Sequence, residues 1–188
     1  MKKELIIIVV LSLLTIVSFY FDQNFTDFVV EHRNPFLDSF MTTITLAIVD
    51  IILILVLILF IFFKDRDFKE VFLLFLILAV TLALSSVLKL VVSRPRPDVI
   101  HLVKESSYSF PSNHSSVAFS AIPLFFRSSK IIGYVWFFIA VIIAFTRIYT
   151  GVHYLSDVLG GALLGYIISI SIIRLDDKYK FTKKLIRI

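Results

Sequence analysis

Three clusters of polar residues interrupt an otherwise apolar sequence between positions 89 and 157. In chain order they read Lys89-Leu-Val-Val-Ser-Arg94-Pro-Arg96-Pro97, Ser109-Phe-Pro111-Ser112-Asn113-His114-Ser115 and Thr146-Arg147-Ile-Tyr-Thr-Gly151-Val-His153-Tyr-Leu-Ser-Asp157. Each cluster adjoins the end of a long apolar run. Together they supply cations, two histidines and a carboxylate, which are the groups that a phosphate-handling site at a membrane surface requires.

The first cluster supplies positive charge. Arginine presents a planar fork to phosphate oxygens, and lysine presents a point charge. Lys89 falls near the end of an apolar run, and Arg96 follows in a loop that prolines on both sides stiffen. Taken alone, the cluster fits ordinary anchoring at the membrane interface equally well, because lysine side chains reach out to lipid headgroups.

The second cluster places a histidine at the predicted start of a helix. Free backbone N–H groups at a helix N-terminus favour anions, and the hydroxyl of Ser112 is a further donor. His114 could act there as a proton donor. His32 and His101 belong to no such pattern, so we interpret them as polar residues that face water.

The third cluster contains a histidine and a carboxylate four positions apart. His153 and Asp157 are therefore predicted to share a helix face. A carboxylate bonded to one ring nitrogen fixes the tautomer and makes the other nitrogen a better base or nucleophile. Arg147 lies at the end of the preceding apolar run, and Gly151 allows the chain to turn between the two segments.

The composition predicts an all-α membrane protein. Of the 188 residues, 59% are hydrophobic and only 18% are charged, with a mean hydropathy of +0.95, so a soluble fold of this length could not bury the apolar surface. The absence of cysteine excludes disulfides and thiolate metal sites. The net charge of +5 is explained by where the basic residues lie, and no nucleic-acid partner is expected.

The apolar runs predict a six-transmembrane-helix bundle that forms a single domain over residues 1–188. A short interfacial helix is predicted at 35–45, between the first and second spans. The six spans are predicted at residues 5–21, 46–63, 71–92, 113–126, 131–148 and 155–173. A signal peptide is the alternative for the first run, but no small-x-small cleavage site follows it. The pair Gly161 and Gly165 would permit close helix packing.

The basic residues predict the orientation, because cytoplasmic segments carry an excess of lysine and arginine. With both termini inside, 13 of the 19 basic residues fall in inner segments. The other six are Arg33, Lys89, Arg94, Arg96, Lys104 and Arg147. We therefore predict a multi-pass protein of the cell (inner) membrane with cytoplasmic termini and all three clusters on the outer face.

The three clusters resemble the signatures of the type 2 phosphatidic acid phosphatase superfamily, the lipid phosphate phosphatases. Those signatures are Lys-x6-Arg-Pro, Pro-Ser-Gly-His and Ser-Arg-x5-His-x3-Asp. The first is matched in full by Lys89 and Arg96-Pro97, the second by residues 111–114 with Asn113 in place of glycine, and the third by residues 146–157 with Thr146 in place of serine. Arg94-Pro95 lies at the wrong spacing for the first signature.

The resemblance implies a metal-independent phosphohydrolase without a cofactor. His153 would attack phosphorus and form a phosphohistidine, Asp157 would orient it, and His114 would protonate the leaving oxygen. The phosphoryl oxygens would be held by Lys89, Arg96, Ser112, the backbone of Asn113, and Arg147. A covalent step and charge stabilisation suit phosphate-ester hydrolysis, which is very slow without a catalyst. Because the two histidines need opposite protonation states, a bell-shaped pH–rate profile is expected.

The expected substrate is a membrane lipid phosphate or diphosphate at the outer face. Undecaprenyl diphosphate is our first choice, because small bacterial members of the superfamily resemble this chain in size. Phosphatidylglycerol phosphate and phosphatidic acid come next. The motifs bind the phosphate and do not distinguish among these lipids. The oligomeric state stays open.

Three other functions fit part of the sequence pattern. Vanadate-dependent haloperoxidases have a similar site, but they are soluble. A lipid-binding or transport protein with a degenerate site is a second alternative, although the sequence lacks the internal symmetry of many transporters. A metal site formed by His114, His153, Asp157 and Asp98 is a third, which the neighbouring basic residues disfavour because they repel cations.

Overall fold

The structure, a computed structural model, describes residues 2–46 and 68–186. Within these residues the regular structure consists of nine helices and no strand, as the sequence predicts. In chain order they are α1 (Lys2–Ser18), α2 (Asp22–Glu31), α3 (Pro35–Ile44), α4 (Phe68–Val92), α5 (Asn113–Ser120), α6 (Ile122–Ser128), α7 (Lys130–Tyr149), α8 (Leu155–Tyr179) and α9 (Phe181–Ile186).

Three of the described helices, α4, α7 and α8, are long and apolar enough to cross a membrane. They correspond to the predicted third, fifth and sixth spans. The pair α1 and α2 is a fourth candidate if it forms one bent span. The predicted second span, 46–63, lies outside the described residues except for its first position, so the total of six spans stays a prediction.

The first predicted span is wrong at its C-terminal end. Helix α1 stops at Ser18, and the chain bends by 78° into α2, which begins at Asp22. The sequence predicts no helix between the first span and the helix at 35–45, so α2 is a correction. The carboxylate of Asp22 is buried and accepts hydrogen bonds from the start of α8, at Ser156, so a contact distant in sequence fixes the bend.

The helix predicted at 35–45 is found almost where expected, as α3 at Pro35–Ile44. Asn34 caps it, because its side-chain oxygen accepts the N–H of Leu37 at 3.0 Å, and Pro35 suits the first turn. Its predicted place at the membrane interface stays a prediction.

The fourth predicted span, 113–126, is not one helix. It is divided at Ala121 into α5 and α6, and neither has the length to cross a membrane by itself. Pro123 lacks an N–H and cannot continue the hydrogen bonds of α5. The buried indole of Trp136 donates to the carbonyl of Ala118 at 2.8 Å, which satisfies a backbone acceptor close to the break.

Helices α5 and α8 pack with their backbones in close approach. A Cβ atom added to Gly165 would lie 2.0 Å from the carbonyl oxygen of Ser116, and one added to Gly161 would lie 2.6 Å from that of Ser112. Such distances leave no room for a side chain. The predicted close packing at this glycine pair is therefore present, and it brings the second and third polar clusters together.

The described chain ends lie at the end of the bundle opposite to the polar clusters. Lys69 is in the first turn of α4 and Lys89 is near its last, about 30 Å away at 1.5 Å per residue. Ion pairs at the Lys69 end are Lys69–Asp176 (3.1 Å), Arg127–Asp177 (3.2 Å) and Arg174–Glu4. Residues close to both termini thus share one end, and the clusters share the other.

Candidate active site

The centre of the site is the contact between His153 and Asp157. Nδ1 of His153 lies 3.4 Å from Oδ2 of Asp157, and both side chains are buried. The four-residue spacing predicts that His153 and Asp157 share a helix face. This prediction is wrong, because α8 begins only at Leu155, two residues after His153. The carboxylate instead folds back over the first turn of α8, where it accepts the N–H of Tyr154 at 2.8 Å.

Asp157 has two further partners that the sequence analysis did not assign. The hydroxyl of Ser109 donates to Oδ2, and its oxygen also lies 3.4 Å from Nδ1 of His153. The guanidinium of Arg94 donates from Nη1 to Oδ1 at 2.7 Å. The spacing of Arg94 does not match the first signature, and the sequence indicates no role for Ser109.

The environment of His153 keeps its imidazole neutral. Burial lowers the pKa of His153 to about 3, against the opposing effect of the Asp157 carboxylate. With Nδ1 facing Asp157, the lone pair on Nε2 is available at neutral pH. Nη1 of Arg96 lies 3.5 Å from this Nε2.

Arg96 is held in place by backbone carbonyls of two loops. Its Nε donates to Ser107 at 2.8 Å, and its Nη1 donates to Val152 at 2.6 Å. Burial lowers the pKa of Arg96, but a guanidinium remains charged in proteins. The loop before α5 and the turn before α8 therefore aim a fixed cation at His153.

A second arginine, Arg147, reaches the site from the last turn of α7, and its side chain is only 1% exposed. It donates to the hydroxyl of Thr45 and forms an ion pair with Glu105. The other carboxylate oxygen of Glu105 lies 3.6 Å from Nη2 of Arg96. An acidic side chain that the sequence analysis did not single out thus lies between two arginines of the predicted site.

Lys89 is buried near the end of α4, and its ammonium group donates to the carbonyls of Tyr108 at 2.6 Å and Ser109 at 3.2 Å. These contacts join α4 to the loop that precedes α5. Lys89 and Arg96 border a cavity of about 520 Å³, which Asn113 also lines. The side-chain oxygen of Asn113 is buried and has no hydrogen-bond partner in the described part of the chain.

The second cluster begins α5, as predicted. Ser112 is the N-cap, and its hydroxyl oxygen accepts from the N–H of Ser115 at 3.5 Å, a long contact. The N–H of Ser112 donates to the carbonyl of Asp157 at 3.0 Å, which ties α5 to α8. His114, in the first turn, lies within electrostatic reach of Arg147 and His153.

The structure thus gathers every residue of the predicted site at one end of the bundle. A family model described as the PAP2 superfamily matches residues 70–180, which is more than half of the chain and includes all of the predicted site. The chain belongs to the PAP2 superfamily.

Two bacterial relatives align with most of this PAP2 chain. It is 33% identical over 172 residues to phosphatidylglycerophosphatase B of Bacillus subtilis, with 85% of each chain covered. It is 30% identical over 166 residues to undecaprenyl-diphosphatase BcrC of the same organism, with 85% of this chain and 86% of the relative covered.

A solved structure shares the fold. The crystal structure of a transmembrane PAP2 type phosphatidylglycerolphosphate phosphatase from Bacillus subtilis superimposes with a TM-score of 0.78 at 29% identity, covering 95% of this chain and 98% of that one. Together with the apolar helices α4, α7 and α8, these relatives show that this PAP2 protein is a membrane phosphatase.

The other two histidines of this PAP2 chain contact backbone carbonyls of their own segments. His32 contacts the carbonyl of Phe28 at 2.8 Å, and His101 contacts that of Pro97 at 2.9 Å. Asp98, which the metal-site alternative included, is exposed. Across residues 2–46 and 68–186, no group of three or more histidine and carboxylate side chains is placed to hold a metal ion.

Proposed function

We propose that this PAP2 phosphatase removes a phosphate from a membrane lipid phosphate or diphosphate, without a metal ion, through a phosphohistidine at His153. One observation carries the proposal above the others. A buried, neutral imidazole is held by a carboxylate on one side, while its other nitrogen faces an arginine. That is the arrangement of an oriented nucleophile beside the cation that would hold its phosphoryl target.

The first half of the reaction transfers the phosphoryl group to the enzyme. The lone pair on Nε2 of His153 attacks phosphorus, and the bond from phosphorus to the lipid oxygen breaks. For this step His114 must carry a proton, which the negative charge of the bound phosphate would stabilise. It gives that proton to the leaving oxygen, so the lipid leaves as an alcohol, or as a monophosphate if the substrate is a diphosphate. Asp157 stabilises the positive charge that develops on the imidazole ring.

The second half releases inorganic phosphate. His114, now neutral, takes a proton from water, whose oxygen attacks phosphorus as the bond to Nε2 breaks. His153 returns to its neutral form and His114 to its protonated form. Through both halves the phosphoryl oxygens carry negative charge, which the buried cations Lys89, Arg96 and Arg147 would offset, with donors from Ser112 and the backbone of Asn113.

Glu105 must change its contacts when phosphate binds. Its carboxylate now pairs with Arg147 and approaches Arg96, so it lies where phosphoryl oxygens would be expected. Because Glu105 is 27% exposed while Arg147 is buried, the carboxylate is the partner that can move toward solvent. We infer that Glu105 neutralises the arginines when substrate is absent.

Undecaprenyl diphosphate is the first proposed substrate, and the likeness to an undecaprenyl-diphosphatase supports it. Phosphatidylglycerol phosphate is the second, because the solved phosphatidylglycerolphosphate phosphatase shares the fold over nearly its whole length. Phosphatidic acid is the third. The phosphate contacts described above would serve all three lipids equally.

We also propose that the protein lies in the cell membrane with cytoplasmic termini and its active site on the outer face. The excess of basic residues in the predicted inner segments supports this orientation. The location of the site at the bundle end opposite to Glu4 and Arg174 is consistent with it.

The test of the proposed chemistry is phosphate release by purified protein in detergent with EDTA, from each of the three lipids in turn. We expect release by the wild type and by His32→Ala, a control at an exposed histidine, and none by His153→Ala. Quenching in alkali, where phosphohistidine survives, should show a phosphorylated intermediate in the wild type alone. Release that persists in His153→Ala, or that needs a divalent metal, would contradict the proposal.

A further inference from the structure

We propose that Arg94 is a positioning residue for this reaction, acting through Asp157, and that Asp22 at the start of α2 is its second anchor. This inference rests on the proposed function, because it assigns a role relative to the nucleophile His153. In sequence, Arg94 looks like a misplaced copy of Arg96. In the structure the two arginines have different partners.

Arg94 bridges two buried carboxylates. Nη1 donates to Oδ1 of Asp157 and Nη2 donates to Oδ2 of Asp22, each at 2.7 Å. Nη1 also donates to the hydroxyl of Ser156 at 2.6 Å. The side chains of Asp157 and Asp22 are 0% and 5% exposed, so without Arg94 two negative charges would be buried close together.

The contacts of Asp157 divide between its two oxygens. Oδ2 receives the N–H of Tyr154 and the hydroxyl of Ser109, and it faces Nδ1 of His153. Oδ1 is held by Arg94. A carboxylate held at both oxygens cannot rotate about its bond to the rest of the side chain. Arg94 therefore keeps Oδ2 aimed at His153, which in turn keeps Nε2 aimed at the phosphoryl group.

The guanidinium of Arg94 is itself fixed. It lies over the ring of Tyr154, with 4.2 Å from Cζ to the ring centroid, and near the ring of Phe19, at 5.0 Å. A cation over aromatic faces is attracted to them, and the flat guanidinium stacks on them. Phe19 and Asp22 flank the bend between α1 and α2, so this bend completes the support of Asp157.

These contacts distinguish Arg94 from a phosphate ligand. Arg94 borders the cavity that Lys89 and Arg96 line, but both of its terminal nitrogens donate to carboxylates. Nη1 of Arg96 instead donates to a backbone carbonyl and lies 3.5 Å from Nε2 of His153. Loss of Arg94 should therefore slow the chemical step, whereas loss of Arg96 should weaken phosphate binding.

The experiment compares Arg94→Gln with Arg96→Gln, using Arg174→Gln as a control that removes an arginine ion pair at the other end of the bundle. For each purified variant, kcat, KM, the rate of phosphohistidine formation and the Kd of orthophosphate are measured. We expect Arg94→Gln to lower kcat and the phosphorylation rate about 10- to 100-fold, with KM and the phosphate Kd within about threefold of wild type. Arg96→Gln should raise both KM and Kd, and Arg174→Gln should match the wild type.

Arg94→Lys covers the case in which the glutamine variant does not fold. Lysine keeps the positive charge, but its single ammonium group cannot hold both carboxylates in the geometry of a planar fork. We expect the same loss of kcat with phosphate binding retained. A wild-type kcat in Arg94→Lys, or a rise in phosphate Kd in Arg94→Gln as large as in Arg96→Gln, would overturn the positioning role. If wild-type protein forms no phosphohistidine, the proposed function itself fails.

Discussion

Replacing Glu105 by glutamine should make the site bind inorganic phosphate more tightly. The carboxylate of Glu105 pairs with the buried guanidinium of Arg147 and lies 3.6 Å from Nη2 of Arg96. A phosphate that enters the site must displace it. Glutamine keeps an oxygen that can accept from Arg147 but removes the negative charge that competes with phosphate.

The size of the effect follows from these contacts. At 3.6 Å, one unit-charge pair is worth about 5 kcal/mol at an effective dielectric constant of about 20. Because Glu105 is 27% exposed, solvent screens much of this energy and repays part of the loss when the carboxylate moves out. We therefore expect a net gain of about 1–2 kcal/mol, or a five- to thirtyfold lower Kd for orthophosphate.

The same substitution should destabilise the protein when phosphate is absent. Arg147 is 1% exposed and would lose its ion pair with Glu105, at a cost of about 1–2 kcal/mol. For a chain of this length, that cost corresponds to a fall in Tm of about 2–8 °C. Phosphate should then raise the Tm of Glu105→Gln more than that of the wild type, because ligand binding stabilises the folded state in proportion to its affinity.

The assay is thermal unfolding in detergent over a series of orthophosphate concentrations, together with calorimetric titration. Asp98→Asn is the matched control, since it removes an exposed negative charge from the same loop. An unchanged or higher phosphate Kd in Glu105→Gln would refute the reasoning, because it would mean that Glu105 does not compete with phosphate for the arginines.

Three further predictions concern other parts of the molecule. Burial holds the pKa of His153 near 3, below its ordinary value of 6.5, so between those pH values the imidazole binds a proton in the unfolded chain but not in the folded one. The stability of the folded protein should therefore fall as pH drops from about 6.5 towards 3. The Tm of His153→Gln should fall less steeply over the same pH range. Gly165→Ala would put a Cβ 2.0 Å from a backbone carbonyl oxygen of α5 and should cost about 1–3 kcal/mol and most activity. Gly160→Ala meets only side chains, those of Phe110 and Thr15, and should cost less in the same unfolding and activity assays. Equal losses would contradict this packing argument. Since the chain has no cysteine, Lys104→Cys should react with an impermeant maleimide on intact cells and Lys178→Cys only after permeabilisation, and the reverse pattern would overturn the proposed orientation.

The sequence by itself determined the features that depend on local spacing. Apolar runs about 20 residues long predict spans wherever they occur, and α4, α7 and α8 lie where three of them were expected. The motif spacings identified His153 with Asp157, and Lys89 with Arg96, because each pair is separated by only a few residues. The glycine pair in α8 likewise indicated a close helix contact before its partner helix was known.

The tertiary structure decided which distant polar groups meet. Arg94 is separated by 63 positions from Asp157 and by 72 from Asp22, and Glu105 by 42 from Arg147. A charged residue in a polar loop has many possible partners, and spacing along the chain does not choose among them. The bend after α1, the break before α6 and the approach of α5 to α8 make that choice. The bend, the break and the identity of the helix that packs against α8 depend on which buried groups can satisfy one another once the helices have packed. For that physical reason they could not be inferred from the sequence.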